Sequence, residues 1–263
     1  GHTYSTTFPT TPGAYDTEYN GGLTDAFVAT VAPMGATLAY STYLGGNDFD
    51  DGEGVDVVSG EGAYITGRTN SLNFPVTPGA YDGVYNGGRD AFVVKMVTDG
   101  RDVSYGTYLG GGGEEETGGI AVGSAGQAFV IGYTTSEDFP TTPGAYDTTH
   151  NGNYDLFLAE LAPPGDALVY GTYAGGPGAD YGRGIELDVE DAVYGAGYGG
   201  LVNTAAFAFK IEPNSEPPTS VEVDRFSSEP GVNQPSLLAL LLLLGVGLAG
   251  LVGITYRRAC GTS

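Results

Sequence analysis

An all-β fold over the first 211 residues, followed by one membrane-crossing helix, is what this 263-residue sequence predicts. Three observations carry that expectation. One decapeptide is written three times, as FPTTPGAYDT from Phe8, FPVTPGAYDG from Phe74 and FPTTPGAYDT from Phe139. Short runs of β-branched and aromatic residues, separated by Gly-rich turns, fill the space between the copies. An uncharged, Leu-rich stretch stands close to the C-terminus.

The period is the strongest of these signals. YSTYLGG at Tyr40, YGTYLGG at Tyr105 and YGTYAGG at Tyr170 recur with a step of 65 residues. The same step relates Asp25, Asp90 and Asp155, each opening a DAF or DLF triplet. It also relates Val55, Ile120 and Ile185, and again Gly67, Gly132 and Gly197. Within one unit GVDVV, AYITG, DAFVVKMV and DVSYGTY read as four strands. SGEG at 59–62 and TDG at 98–100 read as hairpin connections. No stretch before residue 235 holds a helical period. A four-stranded sheet cannot bury both faces alone, so each unit must stack on a neighbouring copy. Radial stacking of such sheets is a β-propeller, so the prediction is a partial β-propeller with about three four-stranded blades, plus one C-terminal transmembrane helix.

The decapeptide falls between the second and third strands of a unit. Pro75 and Pro78 remove backbone donors, which makes the segment a loop. The NGG triplets at 20–22 and 86–88 end it with permissive glycines. A folded loop over the rim of each blade is expected, its Phe, Ala and Tyr tucked against the sheet as one clamp per blade. Gly1 aligns with Gly67 and Gly132, so the chain is expected to start just after a second strand. That gives about thirteen strands, fewer than the four blades closure usually needs, as for a fragment whose N-terminal blades are missing. The last unit lacks most of the rim loop between Gly197 and Phe207, and Ala205 stands where Asp is expected. Terminal repeats often differ in this way.

YSTYLGG, a Gly-rich acidic turn, an AYITG-like strand, FPxTPGAYD, YNGG and DAFV, in that order, resemble the SBBP-type bacterial β-propeller repeat over roughly residues 1–211. The resemblance implies a propeller of bacterial secreted or surface proteins. It implies no single catalytic activity.

Residues 212–235 are rich in Pro, Ser and Glu and read as an extended linker. LLALLLLLGVGLAGLVGI, residues 237–254, holds no charge in 18 positions. As a helix it is about 27 Å long, close to a bilayer core. The transmembrane helix is therefore read over 236–256, with a cytoplasmic tail at 257–263. Leu237, Leu244 and Ile254 mark the anchor, and Arg257 and Arg258 its cytoplasmic flank. This orientation puts the repeats outside the cytoplasm of a bacterial cell. Gly245, Ala249 and Gly253 are four apart and suit a helix–helix contact. The Pro-containing lead, the Leu- and Gly-rich helix and the Arg pair partly resemble bacterial sorting tags of the PEP-CTERM type. Asn233-Gln234-Pro235 stands where that family has Pro-Glu-Pro, and a retained anchor is sufficient.

Acidic residues outnumber basic ones 32 to 9, a net charge of −23. Such a surface repels nucleic acid and attracts cations and basic partners, so nucleic acid is excluded as a partner. The one cysteine, Cys260, allows no intrachain disulfide. His2 aligns with Arg68 and Tyr133, and His150 with Tyr19 and Tyr85, so neither is expected to be a ligand or base. GAGYGG at 195–200 satisfies GxGxxG but ends a strand with no helix after it. The candidate metal ligands are Asp48, Asp50, Asp51 and Glu53 in NDFDDGEG, a Gly-rich acidic turn that suits Ca²⁺. EF-hand spacing fails, because Glu53 stands where Gly is needed, and solvated turns are the alternative. The later copies carry Glu114, Glu115 and Glu116, then Asp180. Asp25, Asp90 and Asp155 read as caps on turns. No catalytic residue is assigned. The expected function is a non-catalytic cell-surface propeller binding an extracellular protein or polysaccharide, in adhesion or scaffolding. The alternatives are an enzyme acting on extracellular glycans, with its catalytic groups in missing blades, and a self-assembling envelope protein.

Overall fold

The computed structural model describes residues 1–200, 205–211 and 224–226, all within one compact unit, Gly1–Glu229. The fold is all-β, in four antiparallel sheets. Sheet one holds β1 (His2–Thr3), β2 (Asp25–Val31) and β3 (Leu38–Leu44). Sheet two holds β4 (Asp50–Val58), β5 (Gly62–Thr69), β6 (Asp90–Met96) and β7 (Val103–Leu109). Sheet three holds β8 (Glu115–Val122), β9 (Ala128–Thr134), β10 (Asp155–Leu161) and β11 (Leu168–Ala174). Sheet four holds β12 (Ala179–Leu187), β13 (Val193–Gly200), β14 (Ala205–Ile211) and β15 (Asp224–Phe226). Every sheet is a meander of sequence neighbours, with the decapeptide loops joining β1 to β2, β5 to β6 and β9 to β10.

The repeated motifs explain the packing. Gly67 pairs across the sheet with Phe92, and Gly132 with Phe157. A Cβ on either glycine would lie 2.7 Å from the facing ring, so the absent side chain makes room for the Phe. The decapeptide then lays its own Phe on top. Phe74 stacks on Phe92 at 4.3 Å and Phe139 on Phe157 at 4.6 Å, and both loop rings are buried.

A tyrosine of the YxTYxGG strand ties the loop down. The Tyr108 hydroxyl donates to the Ser71 carbonyl at 2.7 Å and accepts from Phe74 N–H at 3.2 Å. Tyr43 does the same with Ser5 and Phe8. Tyr108→Phe would remove both hydroxyl bonds and leave Phe74 N–H and the Ser71 carbonyl only their 3.2 Å bond to each other, an expected loss of about 2 kcal/mol. Thermal melting checks this, with an expected fall of about 5 °C; an unchanged melting temperature would mean water replaces the hydroxyl.

The loop also reaches the following sheet. Tyr15 N–H donates to the Gly100 carbonyl at 2.9 Å and Tyr81 N–H to Gly165 at 2.8 Å. The clamp expected within one unit thus binds two units together. A second tie joins the sheets where they begin. Asp50, Glu115 and Asp180 donate backbone N–H bonds to Thr24, Arg89 and Tyr154 at 2.9, 2.8 and 2.7 Å. β4 packs against β8, and β8 against β12.

Two expectations need correction. His2–Thr3 forms β1 and pairs with β2, so these residues are strand where none was expected. The segment 212–235, read as extended linker, contains β15, which pairs with β14 as Ala206↔Phe226, Phe207↔Arg225 and Ala208↔Asp224. Its VEVDRF alternation lies between Pro- and Ser-rich flanks, and the open edge of β14 supplies the donors and acceptors that recruit it. The helix expected at 236–256, with Leu237, Leu244, Ile254, Arg257 and Arg258, falls outside the described residues. Among the described residues no helix is long and apolar enough to cross a membrane.

Candidate ligand-binding rim

The first strand of each later sheet carries a buried acid at its first or second residue, Asp50, Glu115 or Asp180. Side chains alternate along a strand, so the next residue faces the other way. Those next residues are Asp51, Glu116 and Tyr181, which pair across the sheet with Arg68, Tyr133 and Tyr198. The six fall at two positions of the 65-residue period, which read Asp, Glu, Tyr and Arg, Tyr, Tyr in successive copies. The framework repeats; this rim does not.

Arg68 is the centre of its charged half. Its guanidinium lies 3.2 Å from Asp51 and 3.2 Å from Glu53, and it also pairs with Glu116 of the next sheet. His2 Nδ1 lies 2.6 Å from the other Asp51 oxygen. Arg183 of β12 reaches Glu116 at 3.4 Å, so that one carboxylate links three sheets. Arg89 adds a longer contact to Glu116, at 3.9 Å. Phe49 supports the guanidinium groups of Arg68 and Arg89 at 5.4 and 5.5 Å. Glu53 also accepts from Thr117 N–H and hydroxyl at 3.1 and 2.8 Å, a further bridge from β4 to β8. Burial pushes the Glu53 carboxyl up to about 7 despite Thr117 and Arg68. Arg68 stays charged, because Glu53, Glu116 and Asp51 outweigh its own burial.

The other half is aromatic. Tyr154, Tyr181 and Tyr198 form a row, with ring centroids 5.4 and 5.0 Å apart and planes tilted by 31° and 32°. Tyr133 meets Tyr181 edge-on at 4.8 Å. Arg183 lies over Tyr133, Tyr181 and Tyr198 at 5.4 to 5.5 Å and donates to the Tyr198 hydroxyl at 3.1 Å. Tyr198 is 39% exposed, so this half is open to solvent. Three of the nine Lys and Arg residues in the chain gather here, in a protein otherwise starved of positive charge.

The four carboxylates expected to bind calcium go to three places. Asp48 accepts from Phe49 N–H at 2.8 Å in the surface turn. Asp50 turns into the sheet and accepts from Gly46 N–H, Thr69 and Ser71 at 2.7, 2.5 and 2.9 Å. Asp51 and Glu53 meet around Arg68. Among the described residues no group of three or more His, Cys, Asp or Glu side chains is placed to hold a metal ion. His150 lies 3.3 Å from the Thr134 carbonyl and edge-on to Tyr173. GAGYGG lies in β13, and its Tyr198 belongs to the aromatic row. Tyr181 and Arg183 were not singled out from sequence, Arg68 entered only as the counterpart of His2, and Glu116 only as one carboxylate of a later acidic turn. The signal was present: they are the positions of the period at which charged and aromatic residues change. No protein-family model matches the chain, and comparison with curated proteins finds no match.

Proposed function

We propose that this chain is a non-catalytic binding protein of the bacterial cell surface. Its sheets form part of a β-propeller, its C-terminal apolar segment anchors it, and its rim takes up a polysaccharide. The observation that carries the reading is the gathering of non-repeated residues at one end of an otherwise repeated framework. Tyrosine faces suit the C–H face of a sugar ring, and the flanking Arg183 and Glu116 suit its hydroxyls. The adjacency of β4, β8 and β12 supports a radial arrangement, since propeller blades meet along their first strands. The uncharged stretch at 237–254 followed by Arg257 and Arg258 supports the anchor and its orientation.

A hydrolase reading draws on one observation, the raised Glu53 carboxyl beside Glu116. Glu53 is already held by Arg68 and Thr117, which favours binding over proton transfer. The test is affinity electrophoresis of the full chain, in nonionic detergent, through gels holding neutral or acidic polysaccharides. Retardation is expected, and Tyr181→Ala or Arg183→Ala should weaken it about tenfold. Equal mobility in every gel, or equal retardation of both variants, would sink the reading. Release of reducing sugar would instead favour the hydrolase.

A further inference from the structure

Asp25, Asp90 and Asp155 open β2, β6 and β10, and each is 0% exposed. In each copy one oxygen accepts a backbone N–H, from Asn20 at 2.7 Å, Asn86 at 2.9 Å and Asn151 at 2.6 Å. The other oxygen, Oδ1 every time, is buried and has no hydrogen-bond partner. One orphaned oxygen could be an accident of a single loop. Three at equivalent positions are a property of the repeat.

A second buried carboxyl belongs to each, supplied by the following sheet: Asp50, Glu115 and Asp180. At the second and third junctions the two converge on the glycine turn that ends YxTYxGG, and at the first the charge of Asp25 acts on Asp50. A Cβ on Gly175 would lie 3.1 Å from Asp155 Oδ1 and 3.0 Å from Asp180 Oδ2. One on Gly110 would be flanked by Glu115 Oε2 and Asp90 Cγ. None of these six carboxyls makes an ion pair with a described Lys, Arg or His.

A buried carboxylate without a counter-charge is costly, and either a proton or a cation relieves it. The surrounding donors favour the ionised form. Asp50 accepts three hydrogen bonds, and Glu115 accepts three, from Gly111 N–H, Thr134 and Ser136 at 3.1, 2.5 and 2.5 Å. Burial outweighs these bonds and raises both carboxyls, Asp50 to about 6, so at pH 8 the Asp50 charge stands without a counter-charge. The cation then has to come from outside, because the described chain brings none to these junctions. Oxygen-only ligands of a hard type suit calcium, which completes its shell with backbone carbonyls and water.

We propose that each of the three sheet junctions binds one Ca²⁺ between the unpartnered Oδ1 of Asp25, Asp90 or Asp155 and the carboxyl of Asp50, Glu115 or Asp180. Of the acidic turn NDFDDGEG, only Asp50 takes part. The ion cross-links neighbouring sheets at the point where the backbone bonds to Thr24, Arg89 and Tyr154 already join them. Burial pushes the bare Asp90 carboxyl up to about 7 and Asp50 up to about 6, as expected for charges that the protein alone solvates poorly. Asp16, Asp82 and Asp147 stand beside the three pairs and add negative charge, while His150 stands by Asp155.

Equilibrium dialysis of the full chain against ⁴⁵Ca²⁺, in nonionic detergent and KCl at pH 8, tests the proposal. Saturable uptake of about three ions per chain is expected, with a melting temperature about 5 °C higher in Ca²⁺ than in EDTA. Asp90→Asn should remove one ion from the count. The wild-type stoichiometry decides alone if that variant fails to fold. No saturable uptake, or uptake unaltered in a folded Asp90→Asn, would overturn the proposal and leave the pairs to protons.

Discussion

Arg68→Ala is expected to destabilise the protein by about 3 kcal/mol at pH 8 and by clearly less at pH 5. Arg68 is 21% exposed and serves three carboxylates, Asp51, Glu53 and Glu116, which are themselves 10 to 17% exposed. Removing it leaves three partly buried negative charges, with His2, Arg89 and Arg183 as the nearby bases. A solvated surface pair would lose less than about 1 kcal/mol, so burial decides the size of the effect.

The pH dependence follows from Glu53. Burial raises its folded pKa from 4.5 to about 7, so the folded state holds more protons than the unfolded one in that window. Its contribution therefore weakens as pH rises from about 4.5 to about 7. Without Arg68 the folded pKa rises further and the window widens upward, so the variant loses most at pH 8. Urea denaturation at both pH values measures the difference. A loss below about 1 kcal/mol, or one equal at pH 5 and pH 8, would show that water screens the cluster.

Phe92→Ala should cost about 4 kcal/mol and lower the melting temperature by about 10 °C. The ring is 0% exposed, covers Gly67 on one side and stacks on Phe74 on the other. Cavity cost depends on whether neighbours can collapse into the space. Here one wall is a glycine and another is a loop held by Tyr108, so little can move. Phe157→Ala should match it, since Gly132 and Phe139 repeat the arrangement. Phe27→Ala should cost less, because Phe27 and its partner Phe8 are only half-buried. Calorimetry of the three variants checks the order. Equal losses at Phe27 and Phe92 would mean that burial is not what sets the cost.

The strands, their hairpin turns and the proline-containing loop were legible because they are local and written repeatedly. DAF, ITG and FPxTPGAYD each demand one backbone path, and each copy supports the same assignment. β15 escaped notice because three residues with a strand pattern carry little signal inside a Pro- and Ser-rich segment. It becomes a strand through the edge of β14, and an edge is a property of the assembled sheet.

The acidic turn shows the same limit in four residues. Asp50 and Asp51 are adjacent in sequence, but strand alternation sends one inward to Thr69 and Ser71 and the other to Arg68. Composition marked the turn as acidic. It could not say that its carboxylates part company.

The sequence by itself determined the β class, the 65-residue unit, the order of its strands and the loop between the second and third, while β4 begins at Asp50, inside the stretch read as an acidic turn. These follow from side-chain periodicity and from glycine and proline, which act on their own neighbours. Only the tertiary structure decided the rim and the carboxylate pairs. Arg68, Glu116 and Arg183 come from three different sheets, and Asp155 meets Asp180 only where two sheets join. Contacts of that kind depend on how the units stack, and stacking is set by surfaces that exist only after each sheet has formed.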